Sequence, residues 1–151
     1  MPNPGTPTIE AWRAAIGEAL GSDAARLSRT LLVGHSVGCQ AALHFLESLP
    51  EGALVGGLLC VAGWWTVDRP WETILPWINA THDDEKIKRG AGGKIRLLLS
   101  DNDPFTSNFE ENGNAWRARL GAQVELIPGG KHFNAAEEPA VLRAVLAAAK
   151  G

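Results

Sequence analysis

The chain has 151 residues, 45% of them apolar and 21% charged, with a net charge of −3 at pH 7. That length and balance describe one globular domain over 1–151 with a core of useful size. Acids and bases are mixed without a basic stripe, which argues against nucleic acid, and no apolar run reaches the length of a membrane span.

Met1 to Pro7 is polar and Pro-rich, unlike a secretory signal. Thr6 and Pro7 suit an N-cap and first helical position, and Ile9, Trp12, Ile16 and Leu20 recur at helical spacing. A helix is therefore predicted over Pro7–Leu20, stopped by Gly21. Arg29 to Gly34 is apolar without alternation, as in a strand covered on both faces. Ser36 to Leu49 is predicted helical, with Ala41, Ala42, Phe45, Leu46 and Leu49 on its buried side. Leu54 to Ala62 is a second apolar strand.

Gly63 to Gly93 differs in character, with Trp64, Trp65, Trp71 and Trp77 among prolines and mixed charges. It is predicted to be irregular, with short helices near Glu72–Ile78 and Asp84–Arg89. Strands are predicted at Lys94–Ser100 and Ala122–Ile127, with helices at Glu111–Leu120 and Glu137–Lys150. Strands alternating with helices give an α/β class and a mostly parallel sheet of about four strands. Cys39 and Cys60 fall in a helix and a strand, so a reduced, cytoplasmic protein is expected. No metal-ligand spacing or phosphate loop occurs, and no metal or cofactor is expected.

Gly34-His35-Ser36-Val37-Gly38 breaks the first strand just before a helix. This is the G-x-S-x-G nucleophile elbow in its required setting. Side chains at Gly34 and Gly38 are expected to collide with neighbouring backbone. The same pattern also fits a plain Gly-rich turn with a serine cap. A nucleophilic serine requires a base, and the base an orienting acid. Two loops at strand ends supply them in the order Ser…Asp…His. Ser100-Asp101-Asn102-Asp103-Pro104-Phe105 offers Asp103 as the acid, with Asp101 as the alternative or as a turn cap. Pro128-Gly129-Gly130-Lys131-His132-Phe133 offers His132 as the base. His35 is expected to point away from Ser36. His44 and His82 lie outside the strand ends. Backbone N–H of Val37 would serve as an oxyanion donor. Trp64 and Trp65 either line an apolar acyl pocket or plug a small core.

The elbow, the Asp103-Pro104-Phe105 and Gly130-Lys131-His132-Phe133 loops, Ile87-Lys88 and the Met1-Pro2-Asn3-Pro4 start resemble one family. It is the small α/β-hydrolase family of serine hydrolases that includes the retinoblastoma-binding serine hydrolase and its bacterial relatives. The resemblance implies a three-layer α/β-hydrolase-like sandwich, with Ser36 as nucleophile, Asp103 as acid and His132 as base. It also implies a missing front, because family members carry two further strands and a His-Gly oxyanion loop ahead of Met1: an N-terminal truncation is expected, the alternative being a real short form that pairs its open edge with another chain.

Two expectations follow from that implied truncation. The elbow strand would be a free sheet edge, through which two copies could pair as a homodimer. With one oxyanion donor gone, turnover would fall by about 10²–10³. The expected activity is hydrolysis of a small-molecule carboxylic ester, thioester or small amide. The alternative is a catalytically impaired interaction protein with the same fold.

Overall fold

The structure, a computed structural model, describes residues 1–150. The apolar runs form four parallel strands. They are β1 (Leu31–His35), β2 (Gly57–Val61), β3 (Ile95–Ser100) and β4 (Gln123–Ile127), in the spatial order β1-β2-β3-β4. Between them lie α1 (Ile9–Leu20), α2 (Ala24–Leu27), α3 (Val37–Glu47), α4 (Leu75–Asn79), α5 (Asp84–Gly90), α6 (Phe109–Leu120) and α7 (Pro139–Ala148).

Strand alternation divides the core in two. Leu58 and Cys60 of β2 and Ile95, Leu97 and Leu99 of β3 face one layer with α3, α5 and α6. Leu59, Val61 and Leu98 point the other way, toward Ala144 of α7. Both faces of the central strands are thus covered, which is why these strands read as continuous apolar runs. Each such buried Leu or Val contributes about 1.5–3 kcal/mol.

The edges behave differently. β1 lies at one side of the sheet, paired only to β2, and Val33 is 50% exposed. The expectation that this strand is covered on both faces is therefore corrected: its position at the edge leaves the α7 side of Val33 bare. β4 is the other edge, and its residues alternate between exposed and half-buried.

Several local expectations also move. Thr8, not Thr6, caps α1, accepting from Ala11 N–H at 3.3 Å. Pro7 stays outside the helix, where its carbonyl accepts from the Trp77 indole at 3.2 Å. Gly21 ends α1 at φ 70°, a left-handed value that a residue without Cβ adopts freely. The short helix α2 is capped by the Asp23 carboxylate on Arg26 N–H, a signal too brief for periodicity to reveal. The Trp-rich excursion packs Trp64, Ile74 and Trp77 against Trp12 and Ala41, bolting it onto α1 and α3.

Candidate active site

The strand-to-helix turn is built by exclusion. A Cβ on Gly34 would sit 2.8 Å from Cys39 Cα, Cys39 N and Gly38 O, closer than any real contact. The chain can therefore reverse there only with glycine. Gly38 meets nothing within 4 Å, so its expected collision is corrected: it is the second residue of α3 and opens onto a cleft. Ser36 takes φ 53°, ψ −122°. That region is costly for a residue with a side chain, by about 1–3 kcal/mol, and such strain concentrates at functional positions. The turn is held because Ser36 N–H donates to Val61 O at 2.9 Å and the Cys39 thiol to the same carbonyl at 3.4 Å.

Val37 opens α3 directly after Ser36. The first N–H groups of a helix have no partner within it, and they carry the positive end of its dipole. Cys39 N–H turns back to Ser36 O at 2.9 Å. Ser36, Val37 and His132 line one cleft of about 530 Å³ along β1 and α1, whose apolar walls include Met1, Trp12 and Ile16. The Ser36 hydroxyl makes no capping bond to α3. A larger cleft of about 670 Å³ lies at the opposite end of α3, between the Leu49–Leu54 loop and α5. Its lining holds no serine, cysteine or histidine.

Two loops at the carboxyl ends of β3 and β4 are latched by consecutive side chains. Asp101 Oδ1 accepts from Gly129 N–H at 2.8 Å, Asn102 Oδ1 from Lys131 N–H at 2.7 Å, and Asp103 Oδ2 meets His132 Nδ1 at 2.7 Å. Asp103 is 6% exposed and His132 8%. The other oxygen of Asp103 accepts from Phe105 N–H at 2.9 Å, across Pro104, so the carboxylate is fixed before it meets the ring. The bond to His132 places a proton on Nδ1 and leaves Nε2 of a neutral His132 as the acceptor. Asp101 binds the backbone of the other loop rather than capping its own turn. The Gly-Gly approach is equally constrained: a Cβ on Gly130 would meet the Phe133 ring at 2.9 Å.

The structure decides between the two readings of Trp64 and Trp65 and adds a contact for His35. Trp64 is 2% exposed, packs with Trp12 and Trp77, and does not line the Ser36 cleft. Trp65 stacks near Trp116 at 5.0 Å, under the Arg119 guanidinium at 3.8 Å, and Arg119 in turn forks onto Asp84 at 2.8 and 2.9 Å. Both tryptophans pack into the core, Trp64 beside Trp12 and Trp77 and Trp65 against the cluster that holds Trp116. His35 Nε2 reaches His132 O at 2.7 Å. No sequence signal marks that contact, which joins residues far apart in the chain.

A second histidine cluster, which local spacing does not reveal, sits behind α3. His82 Nδ1 contacts Glu47, and its Nε2 meets Gln40 Oε1 at 3.1 Å. Gln40 itself donates to Trp64 O. His44 Nδ1 lies 3.8 Å from Glu47, and the two imidazoles are 4.5 Å apart. The three side chains' ligand atoms lie within 4.8 Å of one another. In the structure these side chains form a hydrogen-bonded knot through His82. Burial, with His82 beside it, lowers the His44 pKa below the usual value. The two cysteines are free and buried, and burial raises the Cys60 thiol pKa. No helix among the described residues is long and apolar enough to cross a membrane.

The profile of the serine hydrolase family matches residues 2–146, and the chain belongs to that family. It is 31% identical over 133 residues to YdeN of Bacillus subtilis (strain 168), a protein named as a hydrolase, covering 88% of this chain and 67% of that one. The structure of the B. subtilis ydeN product superposes with a TM-score of 0.81 at 24% identity, over all of this chain and 80% of that one. A carboxylesterase of Nitrososphaera gargenis gives a TM-score of 0.65 at 10% identity, over 99% and 75%. The B. subtilis naproxen esterase gives 0.55 at 14%, over 97% and 68%. The fold is that of the α/β-hydrolases, and the protein is a hydrolase.

Proposed function

We propose that the chain hydrolyses a small carboxylic ester, or a related thioester or small amide, through an acyl-enzyme on Ser36. The observation that carries this reading is the buried 2.7 Å bond between His132 Nδ1 and Asp103, with His132 and Ser36 lining the same cleft. Asp103 holds the imidazole in the tautomer whose Nε2 is a base and stabilises the imidazolium that forms. Ser36 Oγ attacks the acyl carbon as Nε2 takes its proton. The charge that develops on the carbonyl oxygen meets the Val37 N–H at the start of α3. Nε2 then returns the proton to the leaving group. Water repeats the cycle on the acyl-enzyme. The hydrogen bond this transfer needs, from Ser36 Oγ to His132 Nε2, is expected to close with substrate in place.

The apolar walls at Met1, Trp12 and Ile16 fit an acyl group without charge. Two fold neighbours are called esterases, which favours an ester over an amide. A fluorophosphonate probe tests the nucleophile. Wild-type protein is expected to label at Ser36, and Ser36→Ala is expected to lose labelling together with roughly 10⁴–10⁶ of any ester turnover. Equal labelling of the two proteins would reject the proposal and favour an interaction protein that retains the fold.

A further inference from the structure

We infer that His35 is a positioning residue for the base, tying the loop that carries His132 to the turn that carries Ser36. The inference rests on the proposed triad.

The His132 loop is not held by its own conformational preference. Lys131 and Phe133, on either side of His132, take φ values of 51° and 52°. Two left-handed residues with side chains require outside bonds to keep them there. Asp101, Asn102 and Asp103 supply bonds, but all three come from the β3 loop. They fix His132 against its acid. They leave open how the joined pair sits relative to β1, where Ser36 is.

His35 is the last residue of β1 and directly precedes Ser36. Its Nε2 contacts His132 O at 2.7 Å. A carbonyl only accepts, so His35 Nε2 carries the proton, and a charged ring would donate equally well. The rings of His35 and His132 also meet edge to face, with centroids 4.8 Å apart at 62°. Phe105 makes a similar contact with the His132 ring at 4.7 Å and 64°. The His132 ring thus makes two T-shaped aromatic contacts, and its backbone takes a bond from the residue next to Ser36. This contact spans from one edge of the sheet to the loop after the other, across β2 and β3.

The consequence is specific. Losing the tie should misplace His132 Nε2 relative to Ser36 Oγ while leaving the apolar walls at Met1, Trp12 and Ile16 in place. A displacement of about 1 Å can cost about 10² in rate. His35→Phe keeps a ring and removes the donor. His35→Gln restores an N–H of similar reach.

The test is the rate constant for fluorophosphonate labelling, with kcat and KM on a short-chain ester, for wild type and both variants. The expected result is a fall of roughly tenfold to a hundredfold in labelling and kcat for His35→Phe, with KM little changed. His35→Gln should recover most of the loss. A second readout does not depend on turnover: histidine-ring NMR should show His132 exchanging between orientations in His35→Phe but not in His35→Gln. Wild-type labelling by His35→Phe, or equal losses in the two variants, would overturn the inference. If wild-type protein labels no better than Ser36→Ala, the triad fails instead, and the ring spectra alone then decide whether the tie exists.

Discussion

Two histidine clusters flank α3, and they use the same chemistry to opposite ends. At its N-terminal end, His132 is held by Asp103 while its other nitrogen is left to a cleft it shares with Ser36. On its buried side, both nitrogens of His82 are taken, one by Glu47 and one by Gln40, and the His82 side chain is 2% exposed. A reactive histidine can be told from a structural one on this basis. Burial and a carboxylate partner are common to both. What separates them is one ring nitrogen left to a cleft shared with Ser36, the proposed nucleophile, at a strand end where the backbone is strained.

The largest effect that would separate the two clusters is expected from Asp103→Asn. An amide in place of the carboxylate disturbs the tautomer of His132 while leaving the loop nearly unchanged. Turnover is expected to fall by about 10⁴ with little change in melting temperature. Unchanged turnover would place the base elsewhere.

The reverse pattern is expected for His82→Ala. It leaves Glu47 and Gln40 without their ring partner and opens space beneath Trp65, whose ring lies 5.5 Å from His82. Denaturation in urea should show a loss of about 1–3 kcal/mol. The labelling rate per folded molecule should stay at the wild-type value. A large fall in that rate would mean that the two clusters are coupled through α3.

The smallest expected effect is on pH dependence. Burial, the nearby His82 and Arg13 disfavour a charged His44, while Glu47 and Glu10 oppose them. The folded protein therefore binds a proton at His44 less readily than the unfolded chain does. Stability from this group is complete above the ordinary value of 6.5 and is lost as pH falls from there toward the lowered folded value. Urea midpoints measured over roughly pH 5 to 8 should decline on the acid side, and His44→Phe should flatten that part of the curve. An unchanged slope in the variant would assign the decline to other groups.

Much of the site is legible in the amino-acid sequence. Gly34 and Ser36 form a turn whose geometry follows from the absence of a Cβ and the abrupt switch from strand to helix. Asp103 and His132 stand out because parallel strands deliver their following loops to one end of the sheet. The failures share a cause. Trp64 and Trp65 are ambiguous in sequence because an aromatic side chain looks the same in a core and in a pocket. Thr8 caps α1 where Pro7, just outside the helix, accepts a long-range bond from Trp77. His35, Asn102 and the knot around His82 form bonds across many residues, and nothing in local spacing records them.

The order of strands and helices, the position of the sharp turn and the identity of the residues carried to the strand ends are all written in the sequence. Those features arise from local sterics, apolar periodicity and chain order, which act over a few residues. Folding in three dimensions settles the rest: which nitrogen of which histidine remains available, which loop grips which, and which side chains share the cleft with Ser36. Those outcomes depend on directional hydrogen bonds and burial between distant segments, which exist only once the sheet has brought the segments together.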